Sequence, residues 1–170
     1  MPIETKVALV SVLAVTVATL AEFERLRPEG RIDPRFAGWF LWCFSGLFLV
    51  RVVGQLLVRA KQPAWLPPTE QWNLSPYRLL LPSQLIILGI MAWVDSSFSA
   101  ETGAPVTPRP TFGWAVLAFA ALYAGSMAIR YALRMARRPG ERWFGGTIPI
   151  VFHCVLASWL VIFGSFNASY

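Results

Sequence analysis

Residues 146–166 read GTIPIVFHCVLASWLVIFGSF, 21 positions without a formal charge. At 1.5 Å per residue such a helix covers roughly 30 Å, the thickness of a bilayer's hydrocarbon core. A soluble surface helix has no use for so long an uncharged run, because one of its faces meets water. Four further apolar runs precede it, at 7–23, 36–58, 79–98 and 111–133. The formal charges inside them are Glu22, Arg51, Asp95 and Arg130. The sequence therefore predicts an all-α fold, a polytopic integral membrane bundle of five transmembrane helices, with residues 1–170 as a single transmembrane domain.

The composition agrees with that reading. The chain is 56% hydrophobic and 14% charged, against about 25% charge in a soluble domain. That balance excludes a soluble domain, a disordered chain and a nucleic-acid-binding module. The net charge of +6 sits in short segments between apolar runs. Its expected partners are therefore anionic lipid headgroups, with a protein partner or a second copy also open and no nucleic acid. Cys43 and Cys154 fall at depths about 10 Å apart and are read as small core residues, not a disulfide. The first run is the one candidate for a cleaved leader, with Lys6 beside Glu4 ahead of it and a conceivable cleavage after Ala21. We read it as a retained helix.

The connecting segments differ in character. Residues 24–35 alternate Arg with Glu and Asp and read as a short solvated turn. Residues 59–78 contain Pro63, Pro67, Pro68 and Pro76 with Trp65, Trp72 and Tyr77, and read as an irregular cap on the membrane. Residues 95–110, rich in Ser, Thr, Pro, Ala and Gly, read as a mobile loop. Residues 134–145 carry four Arg against one Glu. Five spans put the two ends of the chain on opposite sides, here A for the N-terminal side and B for the other. Side A has nine Lys and Arg near span ends and side B five. The positive-inside rule then expects the N-terminus in the cytoplasm and the C-terminus outside. The bias of Arg over Lys and the abundant Ala suggest a GC-rich bacterium, hence an inner membrane.

Polar groups inside a span are costly, so each is a candidate for function. Arg51 and His153 fall about 10 Å inside side A, Gln84 about 9 Å and Arg130 about 5 Å. Gln55 stands one turn from Arg51 on the same helix face. If these five converge, they form a basic polar layer suited to a phosphate headgroup, a carboxylate or a quinone carbonyl, with Arg as the bidentate donor. The competing reading has Arg51 and Arg130 snorkelling to the interface and Gln55 and Gln84 bonding helix to helix. His153, the only histidine, also fits an axial haem ligand or a proton carrier. A polar core residue bonded to a neighbouring helix is the plainer alternative.

No carboxylate falls mid-membrane in this count; Glu4, Glu22 and Asp95 all stand near span ends. No CxxC, HExxH, phosphate-binding glycine loop or GxSxG occurs. No cofactor or metal site is expected. Seven of the eight Trp fall near predicted interfaces, with Trp159 deeper. Ala120, Ala124 and Ala128, and separately Ala121 and Gly125, give the fourth helix small residues at four-residue spacing, which suits close packing inside the bundle or between copies.

Residues 63–68, Pro-Ala-Trp-Leu-Pro-Pro, look like the Trp and Pro loop of the tryptophan-rich sensory proteins, which bind porphyrins and sterols. The likeness covers six residues. The loop follows the second helix here and the first in that family, and the family's later Trp-containing Leu-Asn motif is absent. The chain is not assigned to that family. The leading expectation is a non-catalytic membrane subunit or interaction protein. The alternatives are a binder or carrier of a lipid, porphyrin or other hydrophobic anion, and a haem or quinone anchor built on His153.

Overall fold

The computed structural model describes residues 3–61, 77–137 and 148–170. They form five helices: α1 (Ile3–Leu26), α2 (Pro34–Lys61), α3 (Tyr77–Ala100), α4 (Pro110–Arg137) and α5 (Ile148–Ala168). No strand occurs among the described residues. The fold is all-α, and all five helices are long and apolar enough to cross a membrane. The segments read as a membrane-lying cap and a basic loop fall largely outside the described residues.

Helix starts follow proline chemistry. Pro34 and Pro110 open α2 and α4, and Pro149 is the second residue of α5. Each sits where its missing N–H would have had no helical partner. Asp33 caps α2 by accepting the Phe36 N–H at 3.0 Å.

The helix that anchors the sequence reading also lies at the centre. Of the most apolar window of α5, 67% is buried, against 17% in α1 and in α4. Helices α1, α2 and α4 pack along α5, and α3 packs along α2. Helix α4 has no packing of similar extent against α1, α2 or α3. The register follows from named contacts. Trp42 Nε1 donates to Ser99 Oγ at 2.9 Å, which sets α2 antiparallel to α3. Trp159 Nε1 donates to Asp95 Oδ1 at 3.0 Å, with α3 and α5 parallel. Tyr123 meets His153 across the antiparallel α4–α5 pair.

Lipid tails are as apolar as the side chains, so close backbone approach and shape hold such helices together. The α4–α5 contact shows this. A Cβ on Gly113 would stand 2.5 Å from the Ala168 nitrogen, and one on Gly164 would stand 2.9 Å from Leu117 Cγ. In the small-residue pattern of α4, Ala120 is fully buried while Ala121, Ala124 and Ala128 face outward. The closest approach is made by Gly113 and Gly164, a pair outside that pattern.

Side B is closed by polar and aromatic contacts. Ile32 N–H donates to Ser169 Oγ and the Tyr170 hydroxyl donates to the Ile32 carbonyl, both at 3.2 Å. Phe98 stands edge-on to Phe166, 4.6 Å between centroids, and Phe23 packs with Phe36 and Phe40. The connection after α3, expected to be mobile, is instead a built turn. Glu101 at φ 55 takes the left-handed position that ends α3. Its N–H bonds the Phe98 carbonyl at 3.3 Å, and the Thr102 N–H bonds that of Ser97 at 3.1 Å, a Schellman ending. Glycine is usual at that position; the glutamate there pairs with Arg35 of α2. A short 3-10 turn over Ala104–Val106, with Pro105 buried, completes the link.

Gly113→Ala is expected to destabilise the detergent-solubilised chain by about 1–3 kcal/mol, the usual effect of overpacking. Gly125→Ala, where a Cβ meets nothing within 4 Å, is expected to be neutral or stabilising by up to about 1 kcal/mol. Thermal melts of the two variants check this; equal losses would refute the close approach.

Candidate functional site

Three of the five sequence-selected residues are buried in the bundle. Arg51 is 4% exposed, Gln55 1% and Gln84 5%. Arg51 and Gln55 belong to the inward stripe of α2, with Phe48, Val52 and Val58. Gln84 lies on the α3 stripe that continues through Met91 to Phe98, at heptad spacing. The pairing of Trp42 with Ser99, continued along both helices, brings Gln55 within about 3 Å of the level of Gln84 along the helix axis. From α5, the Pro149 carbonyl accepts from Arg51 Nη1 at 3.4 Å, and the Phe152 ring lies 5.5 Å from the guanidinium carbon.

These contacts leave much of the layer's polarity unused. Arg51 Nε, Gln55 Nε2 and Gln84 Oε1 are buried without a hydrogen-bond partner. Arg51 forms no ion pair among the described residues. A buried cation without a counter-charge is costly, as are buried donors without acceptors. The layer thus holds unused donors from a guanidinium and an amide, and one unused amide oxygen. Bidentate recognition of an oxyanion uses that guanidinium geometry.

His153 and Arg130 stand apart from this trio. His153 is half-buried on the side of α5 that faces α4, and its Nδ1 shares a hydrogen bond with the Tyr123 hydroxyl. That bond ties α4 to α5 and leaves Nε2 as the ring's remaining nitrogen. Tyr123 lies within electrostatic range of Arg51, and His153 within range of both Arg51 and Arg130. Arg130 itself is exposed, on the outer face of α4 with Ile129 and Leu133. It takes the interfacial position that a long side chain near a helix end reaches by snorkelling. Cys43 and Cys154 are free thiols.

The sequence reading missed a second polar cluster, near side B. Asp95 is 0% exposed. Its Oδ1 accepts from the Trp159 indole, and Ser45 of α2 stands beside it. Asp95 Oδ2 and Ser45 Oγ have no hydrogen-bond partner. Asp95 was counted as a span-end acid by its distance from the end of α3. Its place on the Gln84–Met91–Phe98 stripe is the signal that marks it as inward. Trp159, singled out only for its depth, is its partner. Among the described residues no group of three His, Cys, Asp or Glu is placed to hold a metal ion.

No family model, no curated protein and no solved structure matches this chain. The site therefore rests on its own geometry.

Two outcomes follow. Arg51→Met is expected to keep the melting temperature or raise it by about 2–4 °C, because it removes an unpaired buried charge. A clear fall would make the guanidinium a structural tie. Trp159→Phe leaves Asp95 without its hydrogen bond and is expected to cost about 1–3 kcal/mol. Adding Asp95→Leu should recover most of that loss in the same melts; purely additive losses would deny the coupling.

Proposed function

We propose that this chain is a non-catalytic component of a bacterial inner membrane that binds the head of an anionic amphiphile in the Arg51 layer. Its N-terminus lies in the cytoplasm and its C-terminus outside in this reading, which follows the count of basic residues near span ends. The binding site then belongs to the cytoplasmic half of the bilayer.

One observation carries the proposal: Arg51, Gln55 and Gln84 are each at least nine-tenths buried, and each has a polar atom without a partner. Two of those atoms are donors and one is an acceptor. A phosphate monoester that retains one hydroxyl satisfies all three, accepting from Arg51 and Gln55 and donating to Gln84. A carboxylic acid offers a poorer match, with two oxygens to share among them. The layer lies roughly 9–15 Å from the side A ends of α2 and α3, so the ligand's apolar part stays at hydrocarbon depth. Arg51 meets no carboxylate among the described residues, which favours binding an anion over transferring a proton.

The test is native mass spectrometry of the gently solubilised chain, with dioleoyl phosphatidic acid as the probe and dioleoyl phosphatidylcholine as its control. A discrete phosphatidic acid adduct is expected on the parent. Arg51→Leu should weaken it by about tenfold or more, the effect of losing a charge-assisted hydrogen bond. Arg51→Lys should restore part of it, because an ammonium keeps the charge and lacks the planar fork. A lipid ladder identical in all three proteins would defeat the reading and turn the search to protein partners.

A further inference from the structure

Among the described residues helix α4 packs chiefly on α5, and a groove lies between it and α3. The groove has a volume of ≈ 380 Å³, within the range of small-molecule sites. Its floor is α5, where Trp159 stacks on Phe163 at 5.4 Å between centroids. Trp93 of α3 and Phe112 of α4 form its walls, and Phe112 meets Phe163 edge-on at 6.0 Å. At the side B mouth stands Arg109, whose backbone N–H bonds Asn167 Oδ1 at 3.3 Å.

We propose that this groove binds one lipid of the side B leaflet, its acyl chain against Trp159 and Phe163 and its phosphate against Arg109. Three features favour that occupant. The groove reaches Ile90, ten residues before the end of α3, and so runs about 15 Å inward, half the hydrocarbon core. One leaflet's chain has that reach. Its walls are apolar and aromatic, and its cation sits at the mouth. Arg109 forms no ion pair among the described residues, and Glu101, the one carboxylate on the α3–α4 connection, is held by Arg35. The mouth therefore presents an uncompensated positive charge where a lipid carries its phosphate.

Asp95 acts here as a positioning residue. A carboxyl buried inside a span is costly. This one holds the indole N–H of Trp159, a residue that lines the groove. This proposal stands apart from the Arg51 layer, none of whose three residues lines the groove.

Native mass spectrometry of the full chain tests it, with dioleoyl phosphatidylglycerol offered against dioleoyl phosphatidylcholine. The parent is expected to retain one phosphatidylglycerol under activation that strips the rest. Arg109→Gln should lower the preference over phosphatidylcholine about tenfold. Leu160→Phe and Val116→Phe, which fill the groove, should remove the adduct, while Leu122→Phe on the outward face of α4 and Arg51→Leu should keep it. Arg109 is exposed, so its variant remains informative if a groove-filling variant misfolds. Equal retention of both lipids by the parent overturns the proposal. So does an adduct that survives both groove-filling changes, one lost in Arg51→Leu, or a dimer in place of the lipid that Leu160→Phe dissociates.

Discussion

A helix at the centre of a membrane bundle reaches neither water nor headgroups along most of its length. A polar side chain it carries or meets must therefore find its partner inside the bundle, on the helix's own backbone as Ser158 does with the Cys154 carbonyl, or on another helix. Helix α5 is under that constraint, and the arrangement of this protein follows from it. The helix carries no formal charge itself. The charged groups of its neighbours turn toward it instead: Arg51 to the Pro149 carbonyl and Asp95 to the Trp159 indole. Tyr123 meets His153 under the same rule. Each contact comes from a different helix, so the polar bonds also fix the rotation of α2, α3 and α4 about their own axes. Apolar packing in lipid offers little such discrimination, because one leucine face is much like another.

The two ends of the bundle are built differently. Toward side A the helices enclose polar groups that are only partly satisfied, in a layer one or two turns deep. Toward side B they interlock through phenylalanine clusters, a capped turn and hydrogen bonds from the last residues of the chain to Ile32. Four exposed tryptophans, Trp39, Trp42, Trp93 and Trp114, ring that end at the level where amphipathic rings settle in a bilayer. Unsatisfied polar atoms occur toward both ends, in the Arg51 layer and at Asp95 and Ser45.

The sequence made the five helices legible because spanning a membrane leaves few options: long apolar runs, with charge confined to their ends. A fixed rise per residue put Arg51, Gln55, Gln84, His153 and Arg130 at similar depth by count, and the first three of them are buried. Which way each side chain points was harder, since apolar residues surround every span and amphipathic periodicity is weak. Heptad spacing carries that information for α3, where Gln84, Met91 and Phe98 mark one stripe and include Asp95 with it. Counting distance to the helix end hid this. Arg130 stands nearer its helix end than Arg51, about 5 Å against about 10 Å by count, and points outward. The turn after α3 was misread because Ser, Thr, Pro and Gly serve equally in mobile loops and in tight ones. Its fixed form depends on the Arg35–Glu101 pair, between residues far apart in sequence.

The position of α5 also has a consequence in time. It is the last of the five helices to be synthesised, yet it is the one around which the others assemble. Translation proceeds at about 5–20 residues per second, so α1 to α4 are made roughly 2 to 30 seconds before their common core exists. During that interval Arg51 and Asp95 have none of their α5 partners, and α4 has no helix to rest on. Arg51 and Asp95 are therefore what the insertion machinery must shelter longest, and the arrival of α5 converts four separately inserted helices into one folded body.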